Sequence, residues 1–363
     1  MHKPRSPEAH ELQKVVSFLN DHLRQNTQWN INQEYPTALA PQNAHNMSII
    51  EENEQIVSHA VIKPIITKTP QAIFRIGAIG SVVTHPDYRN QGLSSQNLQN
   101  CLTKATAQNC DLVILWTDKF DYYRKFGFEL AGMEYSYEFN QAQPIENKEA
   151  RFVKGSQVDP NAILKLYNQH TVNSVRTADE VAKFMKIPNS NIYTLWSPQN
   201  QLLAYSIEGK GADLTNYIHE WGGSVQALID LWSFMVRTEN KTYRIIVPQH
   251  SQNLRRRLMA ISPTQHEGFL GMIRIQDFNS ISQKIKKAFR AEGLDQFVLE
   301  KQHGEVVIGY GSDLYTLNNE SDLVRIIFGP ITTSQLNFMK TETQEILAKV
   351  LPMPLWIWGW DSI

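Results

Sequence analysis

The sequence has few residues that could crosslink it or bind a metal. Only two of its 363 residues are cysteines, Cys101 and Cys110, which excludes a disulfide framework and a four-cysteine metal site. The histidines are scattered, and no His-x-x-x-His pair could present two ligands from one helix face. We therefore expect two reduced thiols in the core, no bound metal and a reducing, cytoplasmic location.

An excess of charge and a long apolar run are also missing. Lys and Arg number 35 against 36 Asp and Glu, and this near-neutral balance predicts no nucleic-acid partner. No apolar stretch reaches the roughly 18 residues that a membrane helix needs, and the first residues lack the apolar segment of a signal peptide, so we expect no membrane association. The composition, 42% hydrophobic and 20% charged, is typical of a folded protein.

The order of apolar segments predicts an α+β protein with three regions. Residues 1–142 contain a helix, a hairpin and a βαβ unit over 72–116. Residues 143–278 repeat the order of hairpin, strand, glycine turn, helix and strand, with an unrelated α+β domain as the alternative. Residues 279–363 form a small third region that opens with a basic helix. We predict mixed sheets with flanking helices in the first two regions.

The last residues are unusually aromatic. Three of the eight tryptophans, Trp356, Trp358 and Trp360, fall within five residues. A solvated tail would not carry so much apolar surface. We expect the C-terminus to be docked on the protein.

A loop between a strand and a helix carries the clearest functional pattern. The strand ends in Ser81-Val82-Val83-Thr84 and continues into His85-Pro86-Asp87-Tyr88-Arg89-Asn90-Gln91-Gly92-Leu93-Ser94-Ser95. Free N–H groups at a helix N-terminus bind anions, and a glycine lets a diphosphate approach the backbone. The sequence has neither the Gly-x-Gly-x-x-Gly fingerprint of dinucleotide-binding folds nor the Gly-Lys-Ser/Thr of loops that bind nucleoside triphosphates. The spacing fits a pyrophosphate site, with an ordinary strand-to-helix turn as the alternative.

Two segments together resemble the signature of the Gcn5-related N-acetyltransferase (GNAT) superfamily. The run from Val82 to Ser94 resembles its strand, proline turn and Arg/Gln-x-x-Gly-x-Gly/Ala loop, with Ser94 in the last, small position. About 30 residues later, Tyr122-Tyr123-Arg124-Lys125-Phe126-Gly127-Phe128 resembles the Tyr-x-x-Phe-Gly-Phe segment of the family. The resemblance covers roughly residues 45–135. It implies that acetyl-CoA is the co-substrate and that a primary amine, of a small molecule or a lysine, attacks the thioester directly in a ternary complex.

The resemblance also implies a role for each matched residue. Tyr123 is the candidate general acid that protonates the leaving thiolate, with a packed core aromatic as the alternative. Backbone groups of Val82 and Thr84 are expected at the thioester and the pantetheine arm, with the Val82 N–H donating to the acetyl oxygen. The other expected cofactor-binding residues are Val83, Arg89, Asn90, Gln91, Gly92, Leu93, Ser94, Ser95, Asp118 and Lys119.

The three-region layout is similar to the enhanced-intracellular-survival acetyltransferases. The resemblance implies tandem GNAT-like units, at 1–142 and 143–278, and a sterol-carrier-like domain at 279–363. It further implies that the α-carboxylate of Ile363 is the general base, with simple anchoring of the tail as the alternative. The second unit lacks the Arg-x-x-Gly signature, so we expect it to form a wall of the acceptor pocket, with His219 and Glu220 as structural residues or acceptor contacts.

The sequence leaves other functions open. A non-catalytic acyl-CoA sensor would keep the pyrophosphate site without turnover. A longer-chain N-acyltransferase would need a tunnel beyond Val82 lined by small residues. The acceptor amine is not specified by the sequence, and the oligomeric state is open, with a homo-oligomer as one alternative.

Overall fold

The computed structural model describes residues 3–262, 264–317 and 319–363. In the first region, the predicted hairpin and βαβ unit are confirmed: the first two strands are antiparallel, and β3 and β4 are parallel on either side of α3. The elements of this region are α1 (Leu12–Leu23), α2 (Ile31–Glu34), β1 (Met47–Glu52), β2 (Gln55–Lys68), β3 (Ile73–Thr84), α3 (Leu93–Ala107), β4 (Leu112–Leu115), α4 (Phe120–Arg124) and β5 (Glu129–Phe139).

The second region repeats this plan. Strands β9 and β10 form an antiparallel pair, and α7 connects β10 to the parallel strand β11. This is the order of β2, β3, α3 and β4. The elements are β6 (Arg151–Lys154), α5 (Pro160–Tyr167), β7 (Asn173–Ser174), α6 (Ala178–Phe184), β8 (Asn191–Trp196), β9 (Leu202–Lys210), β10 (Asp213–Gly223), α7 (Val225–Glu239), β11 (Tyr243–Pro248), α8 (Gln252–Ile261) and β12 (Gln265–Ile275).

The two regions share one sheet. Twelve strands of the described chain form it, in the order β1-β2-β3-β4-β12-β5-β11-β10-β9-β8-β6, with β7 pairing with β2. Strand β12 lies between β4 and β5 and is antiparallel to both, while β5 is antiparallel to β11. Each region therefore completes the sheet of the other. The limits at residues 142 and 278 stay predictions; strands from both sides of residue 142 pair in this sheet, whereas its last strand along the chain, β12, ends at Ile275.

The third region carries its own small sheet, and the α+β fold class is confirmed. Strands β13 (Phe297–Gln302), β14 (Glu305–Tyr310) and β15 (Asp313–Leu317) are antiparallel, and the helices are α9 (Phe278–Ala291), α10 (Glu320–Phe328) and α11 (Thr341–Leu347). Helix α10 packs against β5 and β12. In the described residues, no helix is long and apolar enough to cross a membrane.

The C-terminal tail is docked on the second region, as predicted. Trp356, Trp358 and Trp360 are all buried. The Trp358 indole donates to the carbonyl of Val172 at 2.9 Å, and its ring lies 4.0 Å from that of His170. Burial of three indoles removes enough apolar surface from water to hold an extended segment without regular secondary structure.

A buried charge cluster fixes the same tail. Arg176, which follows β7, donates to Glu220 on β10 at 2.9 Å and to Asp361 in the tail at 2.8 Å. All three side chains are buried. Burial alone would lower the pKa of Arg176, but Asp361 and Glu220 raise it above its usual value. The guanidinium is therefore a permanent charge that compensates two carboxylates.

Removing the guanidinium should be costly. Arg176→Met would leave two buried carboxylates without a counterion, and we expect the free energy of unfolding to fall by about 3–5 kcal/mol. Chemical denaturation of the full chain measures this. The matched control is Lys154→Met, which breaks the half-exposed pair with Glu239 and should cost less than about 1 kcal/mol. Equal losses in the two variants would contradict the assigned role of Arg176.

Candidate active site

The candidate site opens where two parallel strands separate. Strands β3 and β4 are paired at Ile76–Leu112, Gly77–Val113 and Ala78–Ile114. Beyond Ala78, β3 continues to Thr84, whereas β4 ends at Leu115. A wedge therefore opens at the carboxyl ends of these strands, where open α/β sheets bind ligands.

A β-bulge lies at the edge of this wedge. Val61 pairs with Gly80 and His59 with Val83, so Ser81 and Val82 stand opposite a single residue of β2. Ser81 has a positive φ of 49°, and its carbonyl accepts a hydrogen bond from His59 Nδ1 at 2.8 Å. Bulges rotate the local backbone and often lie next to active sites. The predicted residues Val82, Val83 and Thr84 follow this bend directly.

The loop after β3 leads into helix α3, and no side chain caps the start of this helix. Gly92 is the N-cap of α3 with φ 76°, no side chain caps the first turn, and that turn contains no acidic residue. A Cβ on Gly92 would have no atom within 4 Å, so the approach to the backbone is open. Helix α7 of the second region differs, since Ser224 caps it by accepting a hydrogen bond from Ala227 N at 3.3 Å. Only the first of these two matching helices presents free amides in this way.

The predicted cofactor-binding residues surround the start of α3. Arg89, Asn90, Gln91 and Gly92 are exposed, while the Leu93 side chain is buried and leaves only its backbone available. The hydroxyls of Ser94 and Ser95 bond to Tyr122 Oη at 2.9 and 3.1 Å, which links α4 to α3. Asp118 and Lys119 are exposed beyond the end of β4, at the same sheet edge.

Tyr123 packs into the core beside the wedge. Its ring lies 4.9 Å from that of Tyr122 and 6.1 Å from that of Phe128. Its hydroxyl makes no hydrogen bond with any described residue. Burial, followed by Tyr122, raises the pKa of Tyr123 to about 12. The phenol is therefore protonated at neutral pH and free to donate.

The C-terminal carboxylate lies at the bulge, on the other face of the sheet. A Cβ added to Gly80 would come within 2.7 Å of the Ile363 carboxyl carbon. The Ile363 side chain packs with Val83 in the cluster that contains α1, whereas Val82 packs with Tyr123 in the cluster that contains α3. The candidate acid and the candidate base thus approach the wedge from opposite faces.

Comparison with known proteins identifies the first region. Residues 3–131 match the family model of the acetyltransferase (GNAT) domain. This part of the chain is a GNAT acetyltransferase domain. The uncapped loop, the bulge and the wedge all lie within it, so the predicted GNAT resemblance and acyltransferase activity are confirmed. No curated protein matches the chain by sequence.

Solved structures share the fold along almost the whole chain. A GCN5-related N-acetyltransferase from Anabaena variabilis is 14% identical, with a TM-score of 0.68 and full coverage of both chains. Eis1 from Mycobacterium abscessus is 10% identical, with a TM-score of 0.61, and covers 99% of this chain and 98% of its own. A GCN5-related N-acetyltransferase from Kribbella flavida is 13% identical, with a TM-score of 0.59. The match covers 88% of this chain and 84% of that protein. The fold that contains the GNAT domain is therefore shared with these structures over most of the chain.

Of the polar groups that surround the tail, the sequence indicated Glu220 and His219 but not Arg176 and Lys210. Glu220 pairs with Arg176, and His219 Nε2–H donates to the Gly209 carbonyl at 2.9 Å, which supports structural roles for both. Lys210 Nζ contacts the tail, and burial lowers the pKa of Lys210 to about 7. Arg176 and Lys210 lie far from the tail in sequence, so no local motif could indicate their contacts with it.

The close approach of the tail to Gly80 is directly testable. Gly80→Ala places a Cβ 2.7 Å from the Ile363 carboxyl carbon, and the tail must shift to relieve the overlap. We expect carboxypeptidase to release Ile363 faster from this variant, as followed by intact mass. Gly268→Ala is the matched control, because its nearest atom would be 4.0 Å away. Release at the wild-type rate from Gly80→Ala would show that the tail does not lie there in solution.

Proposed function

We propose that this chain is an acetyl-CoA-dependent N-acetyltransferase that transfers the acetyl group directly to a primary amine in a ternary complex. The observation that carries the proposal is the position of the Ile363 carboxylate against Gly80, one residue before the bulge.

The residues around α3 fit a pyrophosphate. The amides from Asn90 to Ser95 lie in the loop before α3 and in its first turn, which has no side-chain cap. The exposed Arg89 adds positive charge. Val83 and Thr84 would hold the pantetheine arm through their backbone, and Asp118 and Lys119 would border it. Acetyl-CoA, when bound, supplies an acetyl thioester. The Val82 N–H would donate to the acetyl oxygen, where negative charge develops.

Tyr123 and Ile363 would divide the proton transfers. Tyr123 Oη is protonated at neutral pH and has no partner among the described residues, so it can donate to a departing thiolate. The Ile363 carboxylate on the opposite face would accept the proton of the attacking amine.

The charges near the tail favour an acceptor with a single amine. Glu34 accepts hydrogen bonds from Arg24 at 2.7 Å, and both Glu220 and Asp361 pair with Arg176. These buried carboxylates are already neutralised and are not available to a polycation. We therefore favour a small monoamine or a lysine side chain over a polycationic amine.

Replacing the candidate acid tests the mechanism. Tyr123→Phe should lower kcat by about a hundredfold or more with little change in the Kd of CoA, because only the proton is lost. Thiol release with acetyl-CoA and a panel of amines measures kcat, and calorimetry measures CoA binding. Tyr122→Phe is the contrasting variant: it removes the bonds to Ser94 and Ser95 and should weaken CoA binding instead.

The same measurements separate the alternatives. Tight CoA binding without thiol release from the wild-type chain, whatever the amine, would indicate a sensor. A preference for longer acyl-CoA substrates would indicate a longer-chain N-acyltransferase. A chain that binds no CoA at all would overturn the proposal.

Shortening the chain by one residue tests the candidate base. Deletion of Ile363 moves the carboxylate back along the tail, and we expect kcat to fall by about a hundredfold with CoA binding retained. Ile363→Val is the matched control, since it keeps the carboxylate in place and should retain kcat. Unchanged turnover after the deletion would remove Ile363 from the mechanism.

A further inference from the structure

One buried lysine contacts the tail directly before its last residue. Lys210, the final residue of β9, is buried. Its Nζ donates to the carbonyl of Gly359 at 2.8 Å, to the carbonyl of Ser362 at 2.5 Å and to Ser362 Oγ at 3.1 Å. In its protonated form the Lys210 amine has three N–H donors, one for each of these acceptors. All three acceptors belong to the tail.

Lys210 depends on its hydrogen bonds to the tail, because burying a charged amine is unfavourable. Taking a charged lysine out of water is unfavourable unless its donors are satisfied. No carboxylate in the described chain forms an ion pair with Lys210. The side chain is therefore compensated by tail carbonyls, and it would lose these partners if the tail detached.

The neighbouring contacts leave the last residue as the tail's free end. Ser362 Oγ donates to the Gly359 carbonyl at 2.7 Å, and Asp361 is held by Arg176 at 2.8 Å. Residues 359–362 are thus held by groups of the second region, at β9 and after β7. Ile363 extends beyond them to Gly80, and no described lysine, arginine or histidine forms an ion pair with its carboxylate. An unpaired carboxylate keeps the basicity that an ion pair would reduce.

We propose that Lys210 is a positioning residue, which holds the Gly359 and Ser362 carbonyls and thereby fixes the Ile363 carboxylate against Gly80 without pairing with it. The catalytic purpose of this contact rests on the proposed function, whereas the contact itself does not. The second region would thus position the candidate general base, the Ile363 carboxylate, at the site in the first region.

The first test measures the hold on the tail without reference to activity. Lys210→Met in the full chain removes the three donors and keeps an apolar stem, and we expect carboxypeptidase to release Ile363 at least about tenfold faster. Lys104→Met is the matched control, because Lys104 Nζ also donates to a hydroxyl and a carbonyl, those of Ser6 and His45, and neither belongs to the tail. Lys210→Gln retains an N–H donor and should restore part of the protection.

The second test asks whether Lys210 acts through Ile363. Lys210→Met should lower kcat by up to about a hundredfold through misplacement of the carboxylate, with the KM of acetyl-CoA unchanged. In a chain that already lacks Ile363, the same substitution should cause no further loss of kcat, since coupled residues are not additive.

The outcomes separate the two proposals. Wild-type protection of Ile363 in Lys210→Met overturns the positioning role, as does a further loss of kcat in the chain without Ile363. Faster release of Ile363 from a protein whose wild type transfers no acetyl group supports the contact and overturns its catalytic purpose. If Lys210→Met does not fold, the same two measurements on Lys210→Gln decide between these outcomes.

Discussion

The placement of the C-terminus depends on a guanidinium that is buried with two carboxylates. Arg176 joins Glu220, in a central strand of the second region, to Asp361, two residues before the end of the chain. A buried ion pair is favourable only when its members stay together, because each isolated charge would be poorly solvated. The cluster therefore selects one docked position of the tail among the many that three tryptophans alone would allow. Apolar burial holds the segment, and the charges define its register.

The shared sheet makes that register meaningful for the first region. Strand β12 inserts between β4 and β5, and β5 in turn joins β11, so the two regions cannot move apart without breaking ladder hydrogen bonds. A tail held by β9 and β10 is then at a fixed distance from the bulge in β3. The continuity of the sheet is what allows residues of the second region to position a carboxylate at a site in the first.

Local features of this structure could be predicted from sequence, and long-range ones could not. The hairpin, the βαβ unit and the loop before α3 follow from periodicity, a glycine and turn residues, each contained in a short segment. Docking of the tail followed from its three tryptophans. The insertion of β12 between β4 and β5 had no local signal, because a strand pattern does not specify its partner. Nor did Arg176 or Lys210, whose partners in the tail are well over a hundred residues away.

The repeated plan also shows how two similar units acquire different tasks. Both have a strand, a turn and a helix, but Gly92 leaves the amides of α3 open, whereas Ser224 closes those of α7 with its own side chain. The cap occupies one of the free donors at the start of α7, the N–H of Ala227, so this helix offers fewer amides to an anion than α3 does. Its matching strand instead carries Glu220, buried against Arg176. The first unit thus has an open turn before its helix, whereas the second has a capped turn and a strand that holds the tail of the chain.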